Sequence, residues 1–351
     1  MDLEQIRSSI DLIDSAILKL LNERMEMVLL TRKFKAEIED SERETEVLSR
    51  IKKKSTGVIN AHFIEKLYSE IIEESKHLQE MDLQLIAFQG EHGAYGEVAS
   101  REWNRDLIPI PCNGFEKVFE GVQSGLYDYG IVPVENTLGG SVEQVNRLLI
   151  DTDLHVIGAM ALPIHLCLLA LPGTDHREIR TVYSHPQALS QCRQFLGRNK
   201  LEPIKYVDTA GAARMLAEKR LKRSAAIASR LSAKLYNLEI MKENIEDLEN
   251  NITRFLVLAR DGNGPEGNKC SIVFSTEHKA GTLFNVLKVF SKGNINLTRI
   301  ESIPSEPGNY AFFLDFEGSI QQKGILEALE EVRGITTRFR LMGCYKEEKV
   351  Q

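Results

Sequence analysis

The stretch Asn250-Asn251-Ile252-Thr253-Arg254-Phe255-Leu256-Val257-Leu258 changes character in its middle. A polar run ends, a hydroxyl and a guanidinium stand side by side, and an apolar run follows at once. Leu256, Val257 and Leu258 read as a buried strand, which places Thr253 and Arg254 where that strand enters the body of a domain. Alone, the pair fits either an ordinary strand start with a solvated arginine, or a hydrogen-bonding acid beside an anion ligand. The other loops of the chain decide between them.

At 351 residues the chain is long enough for two or three domains, with the apolar and charged fractions of a soluble globular protein. Its five cysteines, Cys112, Cys167, Cys192, Cys270 and Cys344, are scattered and contain no Cys-x-x-Cys pair. That spacing predicts reduced thiols in a cytoplasmic protein and no zinc site. The acidic, helix-patterned start has no signal-peptide character. The greasiest region, Val156 to Leu171, contains Pro163 and His165, and reads as two buried strands rather than a membrane span, which needs about 20 apolar residues. A net charge of −7 disfavours a nucleic-acid partner, but small anionic substrates need only local basic groups. No His, Cys or carboxylate set has ligand spacing, so no metal is expected.

Residues 1–81 are helix-patterned throughout. Leu3, Ile6, Ile10, Ile13, Ile17, Leu20, Arg24, Met27, Thr31 and Phe34 recur at steps of three and four, predicting a first helix over 4–38. A second is expected over 42–54 and a third, capped by Asn60, over 61–80. Three thin helices cannot bury such stripes alone, so a dimer is expected. The stripes carry polar intruders: Arg24, Lys35, Glu44, Ser75 and Gln79. Arg24 and Lys35, eleven residues apart, would share a face of the first helix. Arg7 lies roughly 25 Å from Arg24 along that helix, so only an antiparallel partner could deliver it to the same site. Several cations and donors with one carboxylate suit a small dicarboxylate.

With Arg7, Asp14, Arg24, Lys35, Asp40, Arg43-Glu44, Ser75 and Gln79, this segment resembles the all-helical chorismate mutase family. The resemblance implies a Claisen rearrangement of chorismate to prephenate without a covalent intermediate. It implies Arg7 of a second subunit and Arg24 on the two carboxylates, and Lys35 and Gln79 donating to the ether oxygen. Glu44 would take the substrate hydroxyl, with Asp40 and Ser75 positioning.

From residue 82 the pattern turns to short strands alternating with helices, an α/β domain expected over 82–262. The loop 89–96 has glycines at 90, 93 and 96, which is not a dinucleotide fingerprint. The loop 135–141 leads a strand into a helix through Gly139-Gly140, which fits either an anion cradle at the helix N-terminus or a plain capped turn. Ser184 and His185 stand at the mouth of a helix that Pro186 opens. These loops and 251–255 all fall at strand–helix boundaries, where open sheets place their clefts.

The runs VENTLGGSV, SHPQALSQC and NITRF make this region resemble prephenate dehydratase, whose fold is two α/β lobes around a cleft, like a two-lobed solute-binding protein. The resemblance implies loss of the hydroxyl and a carboxylate from prephenate to give phenylpyruvate. Thr253 carries over as the essential hydroxyl, assisting the leaving oxygen by hydrogen bonding rather than full proton transfer. Asn136, Thr137, Ser184, Arg254 and helix N-termini are its expected carboxylate ligands, with His185 and Gln187 shaping the pocket.

Residues 261–268 read as a linker. Beyond it, 269–347 follows a βαββαβ order that resembles an ACT regulatory domain. Its two ligand motifs would stand at Gly281-Thr282-Leu283-Phe284 and Glu301-Ser302-Ile303-Pro304, with Ile303 in place of an arginine, and imply L-phenylalanine feedback. The whole reads as a multidomain protein, all-α, then α/β, then α+β. Its expected function is chorismate to prephenate to phenylpyruvate without cofactor, as a homodimer or homotetramer. Arogenate dehydratase activity and a non-catalytic two-lobed binding protein with a helical dimerisation arm are the alternatives.

Overall fold

The computed structural model describes residues 3–349 apart from 36, 55–56, 263–265 and 307–308; the central part of the expected linker lies outside the described residues. The chain falls into two compact units, Met1–Gln84 and Leu85–Gln351. Among the described residues no helix is long and apolar enough to cross a membrane.

The first unit is three helices: α1 (Leu3–Arg32), α2 (Ser41–Lys54) and α3 (Ala61–Glu80). Asn60 caps α3 by accepting the Phe63 N–H at 2.7 Å, as its sequence position requires. The first helix is shorter than expected. It closes in a tightened turn, with the Lys33 and Phe34 N–H groups donating to Leu30 and Thr31 carbonyls three residues back. The chain must then reverse into α2, whose first turn Asp40 caps through the Arg43 N–H at 3.0 Å. Lys35 therefore lies off the helix, and the shared-face argument linking it to Arg24 does not hold. Along α1, Ile6, Ile10, Ile13, Ile17 and Leu20 stay exposed. Among the described residues of this unit, nothing covers the stripe.

The second unit opens with β1 (Leu85–Gln89), α4 (Tyr95–Trp103), β2 (Ile108–Cys112), α5 (Phe115–Ser124), β3 (Tyr129–Asn136), β4 (Gly140–Ser141), α6 (Glu143–Asp151) and β5 (His155–Pro163). The chain crosses to β6 (Cys167–Ala170), β7 (Thr181–Ser184), α7 (Pro186–Gln191), α8 (Arg193–Arg198) and β8 (Glu202–Lys205). It continues through α9 (Thr209–Lys219), β9 (Ser224–Ala228), α10 (Arg230–Leu235) and β10 (Glu239–Lys242), then returns as β11 (Ile252–Ala259). Last come β12 (Lys269–Ser275), α11 (Thr282–Lys292), β13 (Leu297–Glu306), β14 (Asn309–Glu317), α12 (Lys323–Ile335), β15 (Arg338–Tyr345) and β16 (Glu347–Lys349).

These strands make three sheets, ordered β16-β5-β11-β3-β1-β2 with β4 beside β3, β10-β6-β9-β7-β8, and β13-β14-β12-β15. The first two are the lobes. The apolar run of β1 is parallel to β2 and β3 and wholly buried up to Gln89, as strands covered on both faces are. Two passages join the lobes, one after β5 and one before β11. They pair with each other through Ile164 N–H to the Asn251 carbonyl, at 2.8 Å. The third sheet has the expected βαββαβ order.

Two features of this unit depart from the sequence reading. Cys270 and Cys344, expected as thiols, form a disulfide between β12 and β15. The strands pair them directly across the ladder, an adjacency that 74 residues of separation conceal. The charged tail 347–349 extends the first lobe's sheet as β16, parallel to β5.

Candidate active sites

In the helical unit, α1 and α3 turn their polar intruders toward each other. Arg24 Nη1 donates to Ser75 Oγ at 2.5 Å, and Ser75 donates on to the Ile71 carbonyl. One turn on, Gln79 Nε2 donates to the Val28 carbonyl at 2.9 Å and to Thr31 Oγ1 at 2.7 Å. Burial lowers the Arg24 pKa, with Tyr68 acting weakly the other way, so a bound anion would relieve a desolvated cation there. Lys35 Nζ holds Asp40 at 3.1 Å, and Glu44 faces Lys76 at 3.5 Å. Arg7 and Asp14 are exposed. Thr31 and Lys76 were not anticipated as partners; Lys76 follows Ser75 directly, which was the available signal.

Between the lobes lies a cleft of about 510 Å³, with Thr253, Asn136, Gln187 and His185 among its lining. Thr253 stands directly across the ladder from Asn136. The Asn136 Nδ2 donates to Thr253 Oγ1 at 2.9 Å and to Asn251 Oδ1 at 2.8 Å. Asn251, almost wholly buried, donates on to Gln191 Oε1 at 3.2 Å. Asn251 stands in the opening stretch and Gln191 in the SHPQALSQC run, so both were visible, but nothing in the spacing showed that they meet. The pairing slips after Arg254, where Phe255 faces Pro133 and Val134 is left over. Pro133 has no N–H to give, and such a bulge beside a site re-aims the neighbouring side chains.

Several expected ligands are placed elsewhere. Thr137 Oγ1 donates to the Asn250 carbonyl at 2.6 Å, and buried Ser184 donates to the Ile227 carbonyl at 2.6 Å; neither lines the cleft. The Gly139 N–H is spent on Asn136 Oδ1 at 2.7 Å, so the glycine loop is a turn built on that asparagine rather than an anion cradle. Arg254 leaves the cleft altogether. Successive residues of a strand point to opposite faces, so Thr253 facing the cleft sends Arg254 behind the sheet.

Among the described residues no Lys or Arg lines the cleft. The donors there are neutral. The N-cap of α4 is Ala94, which offers no side-chain cap, so N–H groups of the first turn are open to an anion. His185 accepts the Gln187 N–H on Nδ1 at 3.2 Å. Burial lowers its pKa against a smaller upward pull from Asp208, and a neutral ring accepting on Nδ1 carries its proton on Nε2.

The loop before α4 is tied to both lobes. The Gly93 carbonyl accepts the Ser229 and Ser232 hydroxyls. The Gly93 N–H donates to buried Glu97 at 2.7 Å, and Glu97 also takes the His92 ring at 3.1 Å and Arg101 at 2.6 Å. Burial alone would raise the Glu97 pKa, but His92, the Gly93 N–H and Arg101 together hold it below its ordinary 4.5. A depressed carboxylate adds stability above the unfolded pKa and loses it as pH falls through the folded one. Thermal melts should therefore show Tm falling from about pH 4.5 downward, and Glu97→Gln should flatten that window.

A helical unit with a buried cation–amide set, a two-lobed α/β cleft and a βαββαβ unit define a multidomain enzyme for small anionic substrates. Residues 86–263 match the prephenate dehydratase family, 6–80 chorismate mutase type II and 271–334 the ACT domain. The bifunctional chorismate mutase/prephenate dehydratase of Enterobacter agglomerans is 32% identical over 371 residues, covering 98% of this chain and 96% of its own. Arogenate dehydratase/prephenate dehydratase 2 of Arabidopsis thaliana, a chloroplastic protein, is 39% identical over 274 residues, covering 74% and 72%. The prephenate dehydratase of Arthrobacter aurescens, solved in complex with L-Phe, superposes with TM-score 0.70 at 29% identity, over 75% of this chain and 89% of its own. The chain belongs to the bifunctional chorismate mutase/prephenate dehydratase family.

Proposed function

We propose that the helical unit rearranges chorismate to prephenate and that the cleft turns prephenate into phenylpyruvate, releasing water and carbon dioxide. The observation carrying this reading is the Thr253 hydroxyl in the cleft, whose oxygen accepts from the Asn136 amide at 2.9 Å. An oxygen engaged in that way keeps its own proton to donate. As the substrate's hydroxyl departs and its carboxylate leaves as carbon dioxide, negative charge grows on the departing oxygen, and aromatisation drives the step. Threonine is too weak an acid to give up its proton early, so it acts as a donor whose bond strengthens as charge develops. The first turn of α4, the His185 Nε2–H and Gln187 hold the remaining carboxylate.

In the mutase site Arg24 and Arg7 of a second subunit take the carboxylates, Lys35 and Gln79 the ether oxygen, and Glu44 the substrate hydroxyl, with Asp40 and Ser75 positioning. Gln79 must exchange a bond to α1 for the substrate. The bare apolar stripe of α1 supports a homodimer, which a second interface at the βαββαβ unit would extend to a homotetramer. L-Phenylalanine would act at that unit through Gly281, Thr282, Leu283, Phe284, Glu301 and Ser302. Gly281 holds φ +88° at the start of α11, a conformation that favours glycine.

A second reading, arogenate dehydratase, is favoured by Asp208, a carboxylate lining the cleft that an ammonium group could meet. The test is to supply chorismate, follow its loss by absorbance, and assay phenylpyruvate in alkali, then to compare kcat/KM for prephenate and arogenate. Phenylpyruvate formation with prephenate preferred is the expected result. A preference for arogenate would move the cleft to the second reading, and no turnover of either would leave a binding protein.

A further inference from the structure

Arg254, the neighbour of Thr253, is only 7% exposed at its side chain although it does not reach the cleft. Its guanidinium enters the seam between the first lobe and the βαββαβ sheet. Nη1 meets Asp315 of β14 at 2.5 Å, Nε meets Glu347 of β16 at 2.5 Å, and Nη2 donates to the Tyr345 hydroxyl at 3.1 Å. To reach Glu347 it passes over β5, where the residues in register are Ala159 and Ala161, small enough to leave a lane. Asp315 is wholly buried and also accepts the Ser271 hydroxyl. Lys269 holds the other oxygen of Glu347 at 2.7 Å.

The same two rungs of the β3–β11 ladder serve both faces. Thr253 pairs with Asn136 toward the cleft, and Arg254 pairs with Glu135 toward the seam, just before the bulge. The buried, multiply bonded guanidinium thus ties down the strand segment that presents the Thr253 hydroxyl one residue away. We propose that Arg254 is a positioning residue for dehydration: Asp315, Tyr345 and Glu347 of the regulatory unit fix β11 through it, and so set the reach of the Thr253 hydroxyl. This rests on the dehydratase reading of the cleft. It also gives the third sheet a covalently short route to the chemistry, one residue long.

The test uses the full-length chain, in which chorismate turnover by the helical unit is an internal control. Asp315→Asn keeps size and removes charge, Arg254→Lys keeps charge and removes the planar fork, and Glu347→Gln changes a less buried partner. Each should lower the dehydratase kcat fivefold or more, with KM within twofold and mutase turnover unchanged. The double variant Arg254→Lys/Asp315→Asn should fall no further than its worse single, because the two act as one unit. Leu329→Ala weakens the same regulatory unit away from this network and should lower Tm without changing kcat per folded enzyme.

Folded Asp315→Asn and Glu347→Gln proteins with kcat within twofold of the parent would overturn the proposal. If Asp315→Asn does not fold, Glu347→Gln decides on the same threshold. An equal kcat loss in Leu329→Ala would reduce the effect to general destabilisation and overturn it too. A parent chain that makes no phenylpyruvate from prephenate would instead overturn the reading of the cleft, and this inference with it.

Discussion

Replacing Thr253 by alanine is expected to lower the dehydratase kcat by about 10²–10³-fold, the usual cost of losing one donor aimed at developing negative charge. The loss should fall on kcat rather than KM, because the hydroxyl contributes little until the carbon–oxygen bond begins to break. Thr253→Ser keeps the oxygen and its Asn136 partner and should retain most of the rate, short of what the missing methyl costs in rotamer freedom. Asn136→Ala should also slow the step, but it removes the turn that holds the Leu138 and Gly139 N–H groups, so its effect will mix chemistry with folding. The clean measurement is steady-state phenylpyruvate formation from prephenate by Thr253→Ala, with chorismate turnover of the same preparation as the control for enzyme amount and a thermal melt as the control for folding. A rate within threefold of the parent would remove Thr253 from the mechanism.

The expected site residues that line the cleft and those that lie elsewhere differ for a physical reason. Thr253 opens β11 and Asn136 closes the antiparallel β3, so the two meet at one edge of the sheet, where open sheets place their clefts. Arg254 was misassigned because adjacency along the chain was taken for adjacency in space; in a strand, neighbours face opposite ways. Thr137 and Ser184 carry the right chemistry in the right loops, but their hydroxyls satisfy backbone carbonyls left over by the lobe crossing and by β9. Sequence does not show which polar group the fold consumes for its own hydrogen bonds.

Element order was readable in all three regions, since periodicity changes from helical spacing to short buried runs at residue 82 and the βαββαβ pattern follows the glycine-rich linker. Contacts distant in sequence were not. The Cys270–Cys344 pair depends on the register of β12 against β15. The strand 347–349, made of Glu347, Glu348 and Lys349, has no apolar alternation at all. It joins the sheet because β5 presents an open edge and because Arg254 and Lys269 wait for Glu347 there. Burial pushes the Glu347 pKa up, yet those two cations hold it below its ordinary value, so the charge that hides the segment's strand character is the charge that docks it.

For the mutase, Lys35→Ala is expected to reduce kcat by about 10²–10³-fold, again the loss of one donor at an oxygen that gains charge in the transition state. Lys35 is held by Asp40 at 3.1 Å, with both side chains partly exposed to water. An exposed pair of this kind holds its partners loosely, so the substrate oxygen can draw the ammonium away. Asp40→Asn should then alter the rate by less than about threefold, while Lys35→Ala removes the donor itself. Arg24, held to Ser75, cannot replace it, and Gln79, which already exchanges a bond to α1 for the same oxygen, remains a second donor without supplying the lost charge. The measurement is chorismate disappearance under saturating substrate, with prephenate turnover by the same sample as control. Equal losses for Asp40→Asn and Lys35→Ala would mean that the ion pair acts as one structural clamp at the entry to α2, and the ether-oxygen role would pass to Gln79 alone.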